Sequence, residues 1–194
     1  MSDVQNAYNQ IMEFISSKSE KTMLLCGVAD KEKHRLLLKA LNDNGSLKGL
    51  IYLINTTRDG MENFLRWAEL NKVMPPKKYG QGIRISNLTL YFYNITIKSN
   101  SFKYEDRSFD FIIFWPIQSV TKNEEEIQML KEIAKHQNSN KIFFLTLHEP
   151  WTNPDPFESF VDRVVRLDCE NDAPEEYKRI QAAYDEYLKR YMYL

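Results

Sequence analysis

The sequence has only two cysteines among its 194 residues. Cys26 and Cys169 each stand at the end of a segment with the composition of a strand, which predicts buried, reduced thiols rather than a disulfide. A single domain of this length needs no covalent or metal staple, because it buries roughly 70% of the surface that its unfolded chain exposes. Reduced thiols fit a cytoplasmic location, which we expect for this protein.

Long apolar runs and a charge excess are also missing. No stretch approaches the roughly 20 apolar residues of a membrane helix, and the first residues carry neither the basic nor the apolar part of a secretion signal. We therefore expect no membrane span. The 26 basic and 27 acidic side chains leave a formal net charge of −1, so bulk attraction to nucleic acid is not indicated.

Common catalytic signatures are absent as well. The sequence contains no G-x-S-x-G, C-x-x-C or H-E-x-x-H motif, which excludes the usual forms of serine hydrolase, thiol oxidoreductase and zinc protease. His148, Glu149 and Asp155 lie in one loop, but His148 and Glu149 have no partner at the spacing of metal ligands. We expect no metal and no cofactor.

What the sequence does contain is a regular alternation of strand and helix patterns. The run at 49–55 has no polar residue until its end, which is typical of a strand covered on both faces, and 109–117 is the most apolar strand segment in the chain. Residues 83–97 predict one strand or a strand pair. Helical periodicity follows most of the strands. The pattern predicts a single α/β domain with a mainly parallel sheet covered by helices on both faces, preceded by an N-terminal helix within 1–20 and followed by a C-terminal helix within 171–194.

The region around which the rest is arranged is 22–41, which predicts a strand, a polar loop and a helix. Its loop, Gly-Val-Ala-Asp-Lys-Glu-Lys-His at 27–34, resembles the phosphate-binding motif G-x-x-x-x-G-K-S/T. Gly27 matches the first glycine and Lys33 the lysine. Glu32, however, stands at the second glycine and His34 at the hydroxyl residue.

These two departures have physical consequences for phosphate binding. Glu32 adds bulk and negative charge where the backbone must approach a polyanion, and His34 lacks the oxygen that magnesium prefers. We expect triphosphate binding to be weakened or lost. Lys31, Lys33 and His34 still stand near a helix N-terminus, so Gly27, Lys31, Lys33 and His34 are candidate residues for binding an anion, with a solvated basic loop as the alternative.

The segments 109–120, 142–147 and 160–167 then resemble the core of RecA-like ATPases, including their KaiC-like and recombinase branches, over about 20–170. The resemblance implies a magnesium-supporting aspartate at the end of strand 111–115, where this chain has Trp115. It also implies a catalytic glutamate after the second strand, where Asn55, Thr56 and Thr57 stand, none of them a competent base. The alternative is an unrelated α/β domain.

Taken together, the resemblance and its departures imply a catalytically inactive domain that serves as an interaction or regulatory subunit, beside an active ATPase paralogue or another copy of itself. One alternative is a divergent ATPase that completes its site with a neighbouring subunit. The other is a nucleic-acid-binding accessory factor of recombination or repair, which would use Lys77, Lys78 and Arg84. The tyrosine-rich face of the C-terminal helix packs on its own domain or on a protein partner.

Overall fold

The computed structural model describes residues 2–57, 59–97, 107–147 and 154–191. Its strands are β1 Thr22–Cys26, β2 Leu47–Ile54, β3 Ile83–Ile85, β4 Leu88–Ile95, β5 Phe109–Trp115, β6 Ser139–Leu145 and β7 Arg163–Arg166. Its α-helices are α1 Asp3–Ser16, α2 Asp30–Asp43, α3 Gly60–Trp67, α4 Glu124–Lys135, α5 Asp155–Glu158 and α6 Pro174–Tyr191.

The strands form one sheet in the order β3-β4-β2-β5-β6-β1-β7. Every neighbouring pair is parallel except β3 and β4, which form an antiparallel hairpin at one edge. The strand pair predicted within 83–97 is therefore confirmed. The expected α/β architecture with a mainly parallel sheet is confirmed too.

Two apolar cores lie on the two faces of this sheet. The first is closed by α1, α2 and α3, and the second by α4 and α5. Helix α1 packs on its own domain through Ala7, Ile11 and Phe14, because these residues recur on one side of the helix at spacings of three and four. Strands β5 and β6 are buried along most of their length, as the apolar residues at 111–115 and 142–145 predict.

Parallel pairing brings the functionally interesting segments to one edge of the sheet. Strand β1 lies between β6 and β7, and β5 follows on the far side of β6. Because β1, β2 and β5 run in the same direction, their carboxyl ends lie at the same edge. The loop after β1, Trp115 at the end of β5 and residues 55–57 after β2 are therefore neighbours.

No helix within the described residues is long and apolar enough to cross a lipid bilayer.

Gly27 is needed by the sheet itself. Its φ of 108° lies in the left-handed region, and a Cβ at this position would overlap the backbone of Leu167, which follows β7. We expect Gly27→Ala to destabilise the protein by about 2 kcal/mol or more, since both the strained φ and the overlap must be relieved. Urea unfolding measures this loss. Gly45→Ala is the matched control: Gly45 has a φ of 113° but open space around it, so only the backbone strain remains and the loss should be smaller.

Candidate functional site

The loop that resembles a phosphate-binding motif is short. Strand β1 ends at Cys26 and α2 begins at Asp30, so only residues 27–29 connect them. The backbone amide of Val28 donates to the Asp168 carboxylate at 3.0 Å, and that of Ala29 donates to the carbonyl of Leu167 at 3.1 Å. The Asp30 amide donates to the Val28 carbonyl at 3.0 Å. These amides, which would face phosphates in a nucleotide site, are thus already paired within the protein.

Lys33, the residue matching the motif lysine, is fully enclosed. Its side chain is 0% exposed, and its ammonium donates to the Gly27 carbonyl at 2.6 Å and to the Thr146 hydroxyl at 3.1 Å. The Asp30 carboxylate lies 2.9 Å away. Burial lowers the pKa of Lys33, and the charge of Asp30 opposes that shift. Because an ammonium has three donors, these three contacts use all of them and link β1, α2 and the end of β6.

His34 lies among aromatic rings beneath the loop. Its centroid is 5.6 Å from that of Phe64, 6.2 Å from that of Trp67 and 5.8 Å from that of Trp115. We call these four residues the aromatic cluster. The Nδ1 atom of His34 lies 2.6 Å from the Asp30 carbonyl, so Nδ1 carries the proton and donates it. Burial lowers the pKa of His34 to about 3, which keeps the ring neutral.

Trp115 fills the position at which the resemblance places a magnesium-supporting aspartate. The side chain is 2% exposed, and its ring meets Phe64 edge to face with centroids 5.3 Å apart. Three buried polar atoms in this region lack a hydrogen-bond partner among the described residues: His34 Nε2, Thr56 Oγ1 and Trp115 Nε1. At the two positions where the resemblance implies magnesium-supporting groups, the side chains of His34 and Trp115 are therefore packed rings.

Residues 55–57 stand where the resemblance implies a catalytic glutamate. In the structure, Asn55 and Thr56 form hydrogen bonds with the end of β4 and the residues after it. Asn55 has a φ of 49°, and its side-chain oxygen accepts a hydrogen bond from the amide of Ile97 at 3.1 Å. The Thr56 carbonyl accepts one from the side chain of Asn94 at 3.3 Å. No carboxylate occurs among these three residues, so none can act as a general base near neutral pH.

A cleft of about 530 Å³ lies directly above the loop. Of the four candidate residues, Lys31 is exposed and lines this cleft, whereas Lys33 and His34 are enclosed below it. Among the described residues that line it, six are acidic and two are basic: Asp30, Glu32, Glu69, Asp168, Asp172 and Glu176 against Lys31 and Arg35. An anion entering the cleft would meet a predominantly negative surface.

Half of the acidic residues that line this cleft were not predicted from the sequence. Asp168, Asp172 and Glu176 come from the segment after β7 and from the start of α6, far from the loop in the sequence. The only local signal was the density of acidic residues in 168–176. Which loop they face depends on β7 pairing beside β1, a long-range contact that no local pattern predicts.

Among the described residues, no group of three or more His, Cys, Asp and Glu side chains is placed to hold a metal ion. Asp155 begins the short helix α5. His148 and Glu149 lie outside the described residues.

The basic residues Lys77, Lys78 and Arg84 lie at or just before β3, the edge strand farthest from β7. Lys77 and Lys78 are exposed in the connection before β3, and Arg84 is exposed on β3 itself. Nearby, the guanidinium of Arg107 lies 4.9 Å from the ring centroid of Tyr91 and donates to the Tyr93 hydroxyl at 2.6 Å. Residues 71–97 contain no acidic side chain, so this edge is basic and aromatic.

The buried His34 makes stability depend on pH. Its folded pKa of about 3 lies below the ordinary value of 6.5, so the unfolded chain binds the extra proton first as pH falls. We expect His34 to remove about 2 kcal/mol of unfolding free energy between pH 7 and pH 5, with more lost as pH falls further toward 3. Urea unfolding across this range measures the slope.

Two variants isolate this contribution. His34→Leu should remove the His34 part of the slope between pH 7 and pH 5, whatever its effect at pH 7. Leu38→Ala, a buried apolar position of the same helix without a titrating group, should lower stability but leave the slope unchanged. Equal slopes in wild type and His34→Leu would show that the imidazole is not buried in its neutral form.

Comparison with known proteins adds information about the fold. The sequence matches no protein-family model and no curated protein. The large terminase of a thermophilic bacteriophage, in complex with ADP, is structurally similar, with a TM-score of 0.53 and 11% identity over 98% of this chain and 50% of that one. Another crystal form of that terminase gives a TM-score of 0.49 and 12% identity over 95% and 50%.

This chain therefore spans about half the length of those terminase structures. At such identity the similarity shows the fold alone. The chain shares the α/β fold of that terminase structure, and its mainly parallel sheet agrees with the architecture predicted from the sequence.

Proposed function

We propose that this protein is a RecA-like P-loop domain that has lost catalysis and works as an interaction or regulatory subunit of a protein assembly. The observation that carries the proposal is the aromatic cluster. His34 and Trp115, which replace two groups that would support magnesium, are buried against each other and against Phe64.

Phosphoryl transfer depends on positioned charges. A lysine on the phosphates, a magnesium ion and a residue that orients water together stabilise the transition state. Here the ammonium of Lys33 is held by Asp30, Gly27 and Thr146, and residues 55–57 supply no base. In this proposal, ATP hydrolysis by the usual route lacks a lysine on the phosphates and a residue that orients water.

The electrostatics of the cleft support the same proposal. A phosphate charge about 5 Å from one carboxylate is repelled by roughly 1–3 kcal/mol, depending on how much water screens the pair. Within the described part of the chain, six carboxylates line the cleft, and Lys31 and Arg35 offset them at its surface. A triphosphate would have to overcome this field without the ammonium of Lys33, which is enclosed below the cleft.

A domain without catalytic activity can still function by binding another protein. We propose that the partner is either an active ATPase paralogue or another copy of this chain. Co-purification from the native cell with mass spectrometry identifies the partner. Phosphate release is then measured for the protein alone and for the assembly. We expect no magnesium-dependent release by the protein alone, and release by the assembly that survives Trp115→Phe in this subunit.

The competing proposal is a divergent ATPase that completes its site with a neighbouring subunit. It predicts that the phosphate released by the assembly is produced at the site of this subunit. Release that disappears with Lys31→Met, an exposed change that leaves the packing intact, would favour that interpretation and contradict ours.

The basic and aromatic edge favours a second candidate function, binding of single-stranded nucleic acid through Lys77, Lys78 and Arg84. Exposed lysines neutralise phosphates, and tyrosines such as Tyr79 can stack on bases. Binding to single-stranded DNA should weaken with salt and disappear in Lys77→Ala/Lys78→Ala. Lys18→Ala/Lys122→Ala, which removes two charges elsewhere, is the control. No binding at low salt removes this candidate.

A further inference from the structure

The cleft above the loop at 27–29 is also an apolar groove. Its walls include Val28 beside the loop, Trp67 at the end of α3, and Tyr177 and Ile180 on α6. Tyr177 and Ile180 are half-buried, so the first turns of α6 form one wall of the groove. A volume of about 530 Å³ is that of a site for a small ligand or a few side chains.

Carboxylates surround this apolar surface. Glu32 is half-buried in the first turn of α2 and makes no ion pair within the described part of the chain. Glu176 lies across the groove on α6 and is within 3.8 Å of Arg179. Burial, together with the nearby charges of Glu32 and Asp172, raises the pKa of the Cys169 thiol in this groove to about 12.

We infer that the groove is a docking site for a basic segment of a partner protein, in which an arginine or lysine stands next to apolar residues. This inference rests on the proposed function, because it assigns to a partner the place that a nucleotide no longer takes. The apolar stem of such a cation would pack on the groove walls, and its head would meet the carboxylates. Trp67 and Tyr177 add ring faces that attract a guanidinium.

Charge complementarity selects this occupant. A nucleotide carries the same sign of charge as the rim, whereas a basic segment carries the opposite sign. Trp67 also stacks on His34 with ring planes 26° apart, so it is the wall shared by the groove and the aromatic cluster. Its indole fluorescence should therefore change when the groove is filled.

The test uses the full chain and two blocked peptides, one alternating arginine with leucine and one alternating glutamate with leucine. Binding is followed by calorimetry and tryptophan emission for wild type, for Glu32→Gln/Glu176→Gln in the groove, and for Glu125→Gln/Glu132→Gln on α4. The second pair removes the same charge from the opposite face of the sheet. We expect the arginine peptide to bind wild type and the α4 variant equally, and the groove variant about tenfold more weakly.

The inference fails if the arginine peptide does not bind, if both variants lose affinity equally, or if the glutamate peptide binds as well. Sedimentation of the protein alone adds one more outcome: a dimer that the groove variant loses would make a second copy the occupant and overturn the assignment to a foreign partner. Magnesium–ATP is titrated separately in the same calorimeter. If neither the arginine peptide nor ATP binds, only the docking site is overturned. Tight ATP binding overturns the proposed function.

Discussion

Replacing Trp115 with aspartate should destabilise the protein by at least about 3 kcal/mol and yield no ATPase activity. Trp115 is 2% exposed and packs against Phe64 and His34. Aspartate leaves a cavity in this cluster and places a carboxylate among rings that cannot solvate it. Urea unfolding at pH 7, together with a magnesium-dependent phosphate-release assay, measures both effects.

Trp115→Phe is the control for this variant. It keeps an aromatic ring in the cluster and adds no charge, so it should lose less than half as much stability as Trp115→Asp. A Trp115→Asp protein with wild-type stability and newly gained magnesium-dependent hydrolysis would show that a working metal site survives beneath the tryptophan. That result would remove the basis for inactivity.

Lys33→Met should cost about 3 kcal/mol of unfolding free energy, because it removes the ammonium that pairs with the partly buried Asp30 carboxylate and donates to the Gly27 carbonyl. In a working P-loop enzyme this lysine serves the ligand, so its loss would mainly weaken nucleotide binding. Here its loss weakens the folded state. Urea unfolding of the variant and of wild type gives the difference.

A double-mutant cycle shows whether the Asp30 pair is responsible. Lys33→Met combined with Asp30→Asn should be clearly more stable than the sum of the two single losses predicts, with a coupling of about 1.5 kcal/mol or more. Lys31→Met, two residues away and exposed, should stay within about 0.5 kcal/mol of wild type. An unchanged stability for Lys33→Met would place its ammonium in solvent, available to a ligand.

The fold was predictable from sequence because its signals are local. The apolar run at 111–117 and the alternation of strands with helices follow from burial on both faces of a parallel sheet. That Glu32, His34 and Trp115 differ in chemistry from the residues that phosphate and magnesium require is visible in the sequence, and the loss of nucleotide binding that this implies stays a prediction. These inferences needed only residue types at known spacing.

The interior of the site was not predictable in the same way. Helical periodicity can place Phe64 and Trp67 on the apolar side of a helix, but no local pattern indicates that their rings enclose His34. The direction of the Lys33 side chain depends on Asp30 and Thr146, of which Thr146 comes from a distant strand end. Such choices are decided by tertiary packing, which adds contacts that local propensity does not contain.

The most direct test of lost triphosphate binding is calorimetric titration of the purified 194-residue chain with ATP in the presence of magnesium. Because Lys33 is enclosed and Trp115 is packed against His34, we expect no heat of specific binding and no change on adding EDTA. Tight binding that requires magnesium, with a metal coordinated above Lys33 in a structure of the complex, would contradict this expectation.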